Sequence, residues 1–323
     1  MQHFTRLRTA VVIPVYRAHY LNECLASVFA QTRPPDQVIV IDDGSPDGAV
    51  IERVTARYGN RLTLLRQTNL GAGAARNRGV RHADADLIGF LDADDLWSPQ
   101  LLEHHVRVLQ EHRDRVLVYA NGRLIGDGPL RGLLFMDSAP SVGEPTLDAL
   151  LMQRCTVLTS SVVVWRAAVL AAGLFDESLR RGQDFDLWVR LAAAGGRFAY
   201  TTEPLVSRRI HGMNLSGDRL AELERAAAVL ECLRTKIPFA PAEARALDAR
   251  LRLLRGDIHA ERGKRDLAAG AVSDAAAHFR EAAGAGAGWK IQMVNLALRI
   301  APRATHHAYL LRTRRSAAAP RIA

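Results

Sequence analysis

Acidic residues follow two apolar runs of this sequence that have the composition of buried strands. Asp42 and Asp43 end the first run, and Asp92 and Asp94 follow the second. Because side chains alternate along an extended segment, Asp92 and Asp94 are expected on the same side of the chain. Such a pair can hold Mg²⁺ or Mn²⁺ together with phosphate oxygens and water, although acids at strand ends also form ordinary solvated turns.

Three further segments carry residue types that suit ligand binding or proton transfer. Residues 69–79 combine glycines, which let a backbone approach a ligand, with Arg76, whose forked guanidinium suits a diphosphate. Asp184 opens an amphipathic segment, where an acid can also satisfy the free N–H groups of a helix. His211 is either a metal ligand or a surface histidine. Each signal alone also fits an ordinary structural role.

The elements that position these residues follow from the hydrophobic pattern. Four apolar runs predict buried strands, at residues 11–15, 37–41, 62–66 and 87–91. Segments with helical periodicity lie between them, at residues 20–31, 51–58 and 71–82. This alternation is typical of βαβ units with a parallel sheet, in which ligands bind at the carboxyl ends of the strands. The acids after the second and fourth strands are therefore expected at one crevice.

Beyond residue 97 the pattern is less regular. It predicts helices at residues 98–112, 167–172 and 184–195, strands at 116–121 and 160–165, a Gly/Pro-rich excursion at 123–145, and a polar loop at 207–216.

Seven short motifs occur in a fixed order within residues 9–216. They are Val12-Ile13-Pro14-Val15-Tyr16, Val40-Ile41-Asp42-Asp43-Gly44-Ser45, Asn69-x-Gly71-x-x-x-Ala75-Arg76-Asn77-x-Gly79, Phe90-Leu91-Asp92-Ala93-Asp94-Asp95, Gly173-Leu174-Phe175-Asp176-Glu177, Gln183-Asp184-x-Asp186-Leu187-Trp188 and Arg209-x-His211. In this order and at these intervals, the sequence resembles the family 2 inverting glycosyltransferases of the GT-A fold. The resemblance implies an α/β nucleotide-diphospho-sugar transferase fold, with a Rossmann-like mixed sheet flanked by helices.

The resemblance also implies a reaction of the hexosyltransferase type (EC 2.4). A sugar would pass, with inversion, from a nucleoside-diphosphate sugar to an acceptor hydroxyl on a glycan or lipid-linked acceptor, in polysaccharide or cell-surface glycan synthesis. UDP is the commonest nucleotide in such donors, with GDP and dTDP as alternatives. The expected cofactor is Mg²⁺ or Mn²⁺.

The resemblance assigns a role to each matching position of this sequence. Asp184 would be the catalytic base, and the metal would be held by Asp94 and His211. The nucleotide sugar would contact seven residues: Pro14, Tyr16, Asp42, Asp43, Arg76, Asp92 and Ala93. The sequence departs from the family pattern at Gln183, where many relatives have Glu, but the base itself is present.

Elementary chemistry favours the same roles. A leaving diphosphate requires its negative charge to be stabilised, which a bound cation and an arginine can do. In-line attack requires a base on the opposite face of the sugar, and Asp184 comes from a distant part of the chain.

The basic charge of the chain is confined to its last third. The net charge is +9 from 43 basic and 34 acidic residues; residues 1–218 contain 24 of each, and residues 219–323 contain the other 19 basic and 10 acidic ones. This balance argues against a nucleic-acid groove in residues 1–218, which we predict to be the catalytic domain. Residues 219–323 have helical spacing and predict a basic helical appendage that faintly resembles half of a tetratricopeptide unit.

Two other functions remain open at this point. A nucleotidyltransferase also uses an α/β domain with acids, but it usually has a Gly-rich, basic signature after the first strand, which residues 15–18 lack. A non-catalytic scaffold would use the basic helices, where Trp289, Tyr309 and Leu310 could contact anionic lipid or simply form a solvated face. Scattered cysteines and the lack of a visible secretory signal predict a cytoplasmic protein, with the inner membrane face as a peripheral alternative.

Overall fold

The computed structural model describes residues 6–127, 129–210 and 219–318. The chain divides into two compact units, Met1–Asn214 and Leu215–Ala323. Within the described residues, the first unit contains eight strands: β1 (Thr9–Val15), β2 (Gln37–Asp43), β3 (Thr63–Gln67), β4 (Leu87–Phe90), β5 (Leu96–Trp97), β6 (Arg115–Gly126), β7 (Val163–Trp165) and β8 (Arg197–Ile210). Its described helices are α1 (Leu21–Phe29), α2 (Gly48–Ala56), α3 (Ala72–His82), α4 (Leu101–Glu111), α5 (Phe135–Ser138), α6 (Leu147–Leu151), α7 (Arg166–Ala171) and α8 (Gln183–Ala193).

The strands form one mixed sheet in the order β3-β2-β1-β4-β7-β6-β8-β5. The first four strands pair in parallel, as the alternation of strands and helices predicts, whereas β7 runs antiparallel to both β4 and β6. After β1 the chain builds β2 and β3 on one side and then places β4 on the other. The carboxyl ends of β1 and β4 therefore flank the switch point at which α/β sheets bind ligands.

Both faces of the sheet are buried, and β1 shows how its sequence achieves this. Val11, Ile13 and Val15 belong to the apolar cluster that includes α1 and α4. Ala10 and Val12 belong to the opposite cluster, which includes residues of α3, α7 and α8. Because successive side chains of a strand point to opposite faces, a continuous apolar run is what a doubly covered strand requires.

Helix α3 lies unusually close to the sheet. A Cβ atom on Gly79 would lie only 2.4 Å from Cγ1 of Val12, and 3.0 Å from Cδ1 of Ile41. Only glycine leaves room for this approach, so Gly79 of the motif Asn77-x-Gly79 serves helix packing.

Two predictions for the second half of this unit were wrong. Residues 160 and 161, predicted as the beginning of a strand, belong to a 3₁₀ turn of residues 159–161, and β7 begins only at Val163. The polar loop predicted at residues 207–216 is strand through Ile210, because β8 pairs with β6 over most of its length; residues 211–218 lie outside the described part of the chain. Strand β8 is polar and mostly half-buried, so its sequence lacks an apolar run.

The described part of the second unit is helical, as predicted for residues 219–323. Its helices are α9 (Arg219–Lys236), α10 (Pro241–Ala269), α11 (Val272–Gly284), α12 (Trp289–Ile300) and α13 (Pro302–Ala318). Leu267, Ala275, Phe279 and Leu298 form an apolar cluster between them. Among the described residues, none of the helices has the length and hydropathy needed to cross a membrane.

Candidate active site

The acids after β4 form a tight turn, Asp92–Asp95, which we call the acid turn. The backbone N–H of Asp95 donates to the carbonyl of Asp92 at 3.1 Å. The Asp95 carboxyl is buried and accepts a hydrogen bond from the backbone N–H of Arg209 at 2.8 Å. Burial and the negative charges of Asp94 and Asp92 raise the pKa of Asp95 to about 8. The acid turn is thus a concentration of negative charge at the carboxyl end of the sheet.

Two arginines from distant segments contact the acid turn. Arg76 of α3 is only 4% exposed, and its Nη2 atom lies 2.5 Å from Oδ1 of Asp92. Arg209 of β8 donates from Nε to the carbonyl of Asp94 at 3.1 Å and from Nη2 to Glu23 at 2.8 Å. These contacts fix the acid turn against α3 and β8 and partly offset its charge.

Asp42 and Asp43, at the end of β2, hold loops in place. Asp43 accepts hydrogen bonds from Gln67 Nε2 at 2.8 Å and from the backbone N–H groups of Leu70 and Gly71, both at 2.9 Å. Asp42 accepts the backbone N–H of Ser45 at 2.8 Å. The Asp43 contacts fasten the β3–α3 loop to the end of β2. The sequence motifs around these two segments therefore meet in space.

The remaining residues expected to contact the nucleotide differ in accessibility. Pro14 is buried within β1, and Ala93 is buried in the acid turn. Tyr16 lies just beyond β1 and is 45% exposed, with the guanidinium carbon of Arg17 5.4 Å from its ring centre. Of these three, Tyr16 alone presents a large accessible surface at the end of β1, where a base or sugar ring can stack.

Asp184 lies in the first turn of α8, after Gly182, whose φ of 75° is in the left-handed region. One carboxylate oxygen, Oδ1, accepts the backbone N–H of Phe185 at 2.8 Å. The other, Oδ2, accepts the hydroxyl of Thr159 at 2.8 Å. The half-buried carboxylate is thus oriented by two hydrogen bonds at the beginning of the helix.

Thr159, Ser160 and Ser161 form the 3₁₀ turn between the 147–158 segment and β7, which we call the hydroxyl turn. Ser160 Oγ accepts the backbone N–H of Asp92 at 3.3 Å, while Thr159 bonds to Asp184. Ser161 Oγ accepts the backbone N–H of Ala120 in β6 at 2.9 Å. Three successive hydroxyls thereby connect the acid turn, α8 and the sheet. Sequence reasoning missed this turn, and the Thr-Ser-Ser run was its only signal.

Residues of three of the seven motifs hold elements together. Asn77 of α3 exchanges two hydrogen bonds with the backbone of Phe175, each 2.8 Å long. Asp186, fully buried, pairs with Arg190 at 2.5 Å, and Arg190 also donates to the carbonyl of Leu174 at 2.7 Å. The segment Gly173–Glu177 is therefore fastened to both α3 and α8, which fixes the direction of the helix that carries Asp184.

The acid turn suits a divalent cation, such as Mg²⁺ or Mn²⁺, that binds to only one or two protein side chains. Within the described residues, no group of three or more His, Cys, Asp or Glu side chains could hold a metal ion by itself. Asp92 and Asp94 are half-buried rather than fully covered, and their charges add to the effect of burial in raising the pKa of Asp95. Mg²⁺ and Mn²⁺ are often bound by one or two carboxylates plus substrate phosphates, which matches this donor set. His211, predicted as a second ligand, lies outside the described residues.

The family of the chain follows from comparison with known proteins. Residues 10–158 match the family model for glycosyl transferase family 2. An uncharacterized glycosyltransferase of Rickettsia typhi is 30% identical over 224 residues, which is 67% of this chain and 68% of that protein. The chain belongs to glycosyl transferase family 2. Another relative, the amylovoran biosynthesis glycosyltransferase AmsB of Erwinia amylovora, is 32% identical over 208 residues, which is 61% of this chain and 68% of AmsB.

Solved structures show the fold of this glycosyltransferase. A mannosyltransferase from Pyrobaculum calidifontis, in complex with GDP-Man and Mn²⁺, aligns with 95% of this chain and 86% of its own at a TM-score of 0.62 and 20% identity. S. aureus TarS 1–349, in complex with UDP-GlcNAc, aligns with 96% of this chain and 92% of its own at a TM-score of 0.59 and 16% identity. The expected GT-A type fold, a mixed sheet flanked by helices, is confirmed.

A buried histidine supports the hydroxyl turn and makes stability depend on pH. His105 of α4 contacts the carbonyl of Ser161 through Nε2 at 3.0 Å, so Nε2 carries the proton. Burial, together with the neighbouring His104, lowers the pKa of His105 to about 3 from the ordinary 6.5. Below pH 6.5, His105 is therefore protonated in the unfolded chain but stays neutral in the folded enzyme. The free energy of unfolding consequently decreases as the pH falls below 6.5.

We expect His105→Gln to reduce this pH dependence. Between pH 7 and pH 5, the free energy of unfolding of the native enzyme should fall by about 2 kcal/mol more than that of the variant. Urea unfolding at both pH values, followed by circular dichroism, measures the difference. Replacing the exposed His112 in the same way is the matched control and should leave the pH dependence unchanged. An identical pH dependence in the native and His105→Gln enzymes would contradict the assignment.

Proposed function

We propose that this glycosyltransferase moves a sugar, with inversion, from a nucleoside-diphosphate sugar to an acceptor hydroxyl, and that Asp184 is its base. The observation that carries the proposal is the hydroxyl turn, which bonds to the acid turn through Ser160 and to Asp184 through Thr159. A turn suited to a divalent cation, which would bind the diphosphate, and a group suited to the acceptor proton are thereby held on adjoining elements. This is the arrangement that in-line displacement requires.

In the proposed reaction the acceptor oxygen attacks the anomeric carbon of the donor sugar. Asp184 takes the proton of the acceptor hydroxyl as the new carbon–oxygen bond forms. The bond between the anomeric carbon and the diphosphate breaks on the opposite face, and the nucleoside diphosphate leaves with its electron pair. The configuration at the anomeric carbon is therefore inverted.

The chain's own residues hold this geometry. The hydroxyl of Thr159 and the N–H of Phe185 orient the Asp184 carboxylate, so that it need not reorganise during the reaction. Tyr16 and the loop fastened by Asp43 flank the nucleotide at the ends of β1 and β2. A divalent cation bound by Asp94, with Asp92 beside it and His211 as a further ligand, would supply positive charge to the leaving diphosphate.

The relatives support a nucleotide-sugar donor and a polysaccharide product. The similar structures hold UDP-GlcNAc in one case and GDP-Man with Mn²⁺ in the other. AmsB is named for amylovoran biosynthesis. We propose a UDP-linked sugar as the donor and a growing glycan or lipid-linked oligosaccharide as the acceptor.

A thermal-shift screen with Mn²⁺ tests the proposed donor class. UDP-GlcNAc, UDP-glucose, GDP-mannose and dTDP-glucose are each compared with buffer. A donor at 100 times its Kd raises the free energy of unfolding by about 2.7 kcal/mol, and therefore raises the Tm. A UDP-sugar is expected to give the largest shift, and a larger shift with GDP-mannose would overturn the nucleotide assignment.

Asp184→Asn is expected to lower kcat at least about 100-fold, because the amide cannot accept the acceptor proton. The Tm shift produced by the donor should persist, since the amide keeps the size of the side chain. Transfer is measured by the nucleoside diphosphate released in the presence of acceptor. Asp84→Asn, on a side chain that is 81% exposed, is the matched control with native kcat. Native turnover in Asp184→Asn would show that another group is the base.

Asp94→Asn is expected to weaken cation-dependent nucleotide binding. Isothermal titration with UDP in Mn²⁺ should give a Kd at least about tenfold higher than that of the native enzyme, corresponding to about 1.4 kcal/mol. With EDTA in place of Mn²⁺, the native enzyme and the variant should bind UDP equally. If the native affinity is the same with and without EDTA, the metal role of Asp94 is wrong.

Thr159→Val is expected to lower kcat about tenfold or more, while KM for the donor stays constant. The substitution keeps the shape of the side chain and removes the one hydroxyl that orients Oδ2 of Asp184. Thr159→Ser restores a hydroxyl and should recover most of the rate. If Thr159 had only a structural role, both substitutions would change the Tm. The fall in kcat at constant KM would then not be seen.

A further inference from the structure

Helix α12 carries apolar side chains on two opposite faces. On one face, Leu298 is buried, and Ile291 and Val294 pack with it against the apolar cluster of the second unit. This contact fixes the rotation of the helix about its axis. The other face must therefore point away from that cluster.

The outward face of α12 is a stripe of four large apolar side chains. Trp289, Met293, Leu296 and Ile300 are separated by four, three and four positions, which places them on one side of an α-helix. They are 72%, 56%, 47% and 75% exposed, respectively. Leaving this much apolar surface in water on one helix is unfavourable and marks an interaction site.

The charge around the stripe identifies the kind of partner. Lys290 and Arg299 lie on its two flanks at helical spacing, and both are exposed. From residue 282 to residue 323 the sequence has seven basic residues and no acidic one. The ten acidic residues of the 219–323 region all precede this segment. The stripe is apolar, contains a tryptophan and lies between two cationic side chains. It therefore complements a surface in which an anionic outer layer covers an apolar layer.

Tyr309 and Leu310 of α13, which the sequence suggested as lipid contacts, expose little apolar surface. Tyr309 packs against the cluster formed by Leu267, Phe279 and Leu298, and Leu310 is half-buried. The surface therefore centres on α12, with the exposed Arg303 as a further cation. With 12 residues, α12 is about 18 Å long, too short to cross a bilayer core of about 30 Å.

We propose that the outward face of α12 docks this enzyme on an anionic phospholipid surface. The helix lies in the plane of the interface, with Trp289, Met293, Leu296 and Ile300 among the upper acyl chains. Lys290 and Arg299 contact the phosphates at either side. This docking rests on the second unit alone and does not depend on the transfer reaction.

Sedimentation of the full chain with vesicles tests the docking. The vesicles are phosphatidylcholine alone, or phosphatidylcholine with phosphatidylglycerol at 3:1. We expect the native protein to sediment with the mixed vesicles and not with the neutral ones, and 0.5 M NaCl to release most of it. Trp289→Ser with Ile300→Ser should lower the partition coefficient at least about tenfold. Lys290→Glu with Arg299→Glu should lower it similarly.

Matched controls separate docking from nonspecific effects. Leu133→Ser with Val142→Ser removes two exposed apolar side chains from the first unit, and Arg53→Glu with Arg131→Glu makes the same charge change there. Both controls should bind vesicles as the native protein does, and circular dichroism should show all variants folded. Equal binding by the native and stripe variants would overturn the proposal. So would a lipid-independent dimer in sedimentation velocity that the stripe variant abolishes, because a second copy would then cover the stripe.

Discussion

The free-energy cost of placing the carboxyl groups of Asp92, Asp94 and Asp95 together, with Asp95 buried, is the constraint on which the site depends. Three carboxyl groups stand within four residues, and Asp95 is buried among them, so that its pKa rises to about 8. A turn of this charge keeps its shape only where donors from other segments are fixed against it. Arg76 from α3 and the backbone N–H of Arg209 from β8 provide those donors, and Ser160 of the hydroxyl turn accepts the backbone N–H of Asp92. Elements far apart in sequence are thus fastened to one short turn.

The contacts that hold the acid turn in place also extend to the proposed base, Asp184. The hydroxyl turn bonds to the acid turn through Ser160 and to Asp184 through Thr159, and Ser161 anchors it to β6. Because one 3₁₀ turn makes all three contacts, it positions the base relative to both the acid turn and the sheet. The buried His105 supports this turn from the other side through the carbonyl of Ser161. The arrangement is preorganised before any ligand binds.

The sequence predicts the part of the molecule whose side chains are uniformly buried. Strands β1, β2 and β4 are continuous apolar runs, so their positions follow from the apolar pattern alone, and the acids at the ends of β2 and β4 mark the crevice. Strand β8 is polar and half-buried, and its pairing with β6 depends on tertiary structure, so the pattern does not indicate it. Ser160 and Ser161 of the hydroxyl turn were predicted as strand because the apolar residues of β7 follow them directly. The contact between Thr159 and Asp184 joins positions 25 residues apart, which no local pattern encodes.

Gln183 illustrates how the fold accommodates a departure from the family pattern. The side chain is 8% exposed, and its Cγ would lie 3.3 Å from a Cβ on Gly73, so residue 183 packs in the narrow contact between α8 and α3. A glutamate here would place a second, poorly solvated negative charge next to Asp184, whereas the amide adds none. The contacts that orient Asp184 come from Thr159 and the N–H of Phe185, not from residue 183. The geometry of the proposed base is therefore independent of the residue that precedes it, and the exchange of Glu for Gln leaves that geometry intact.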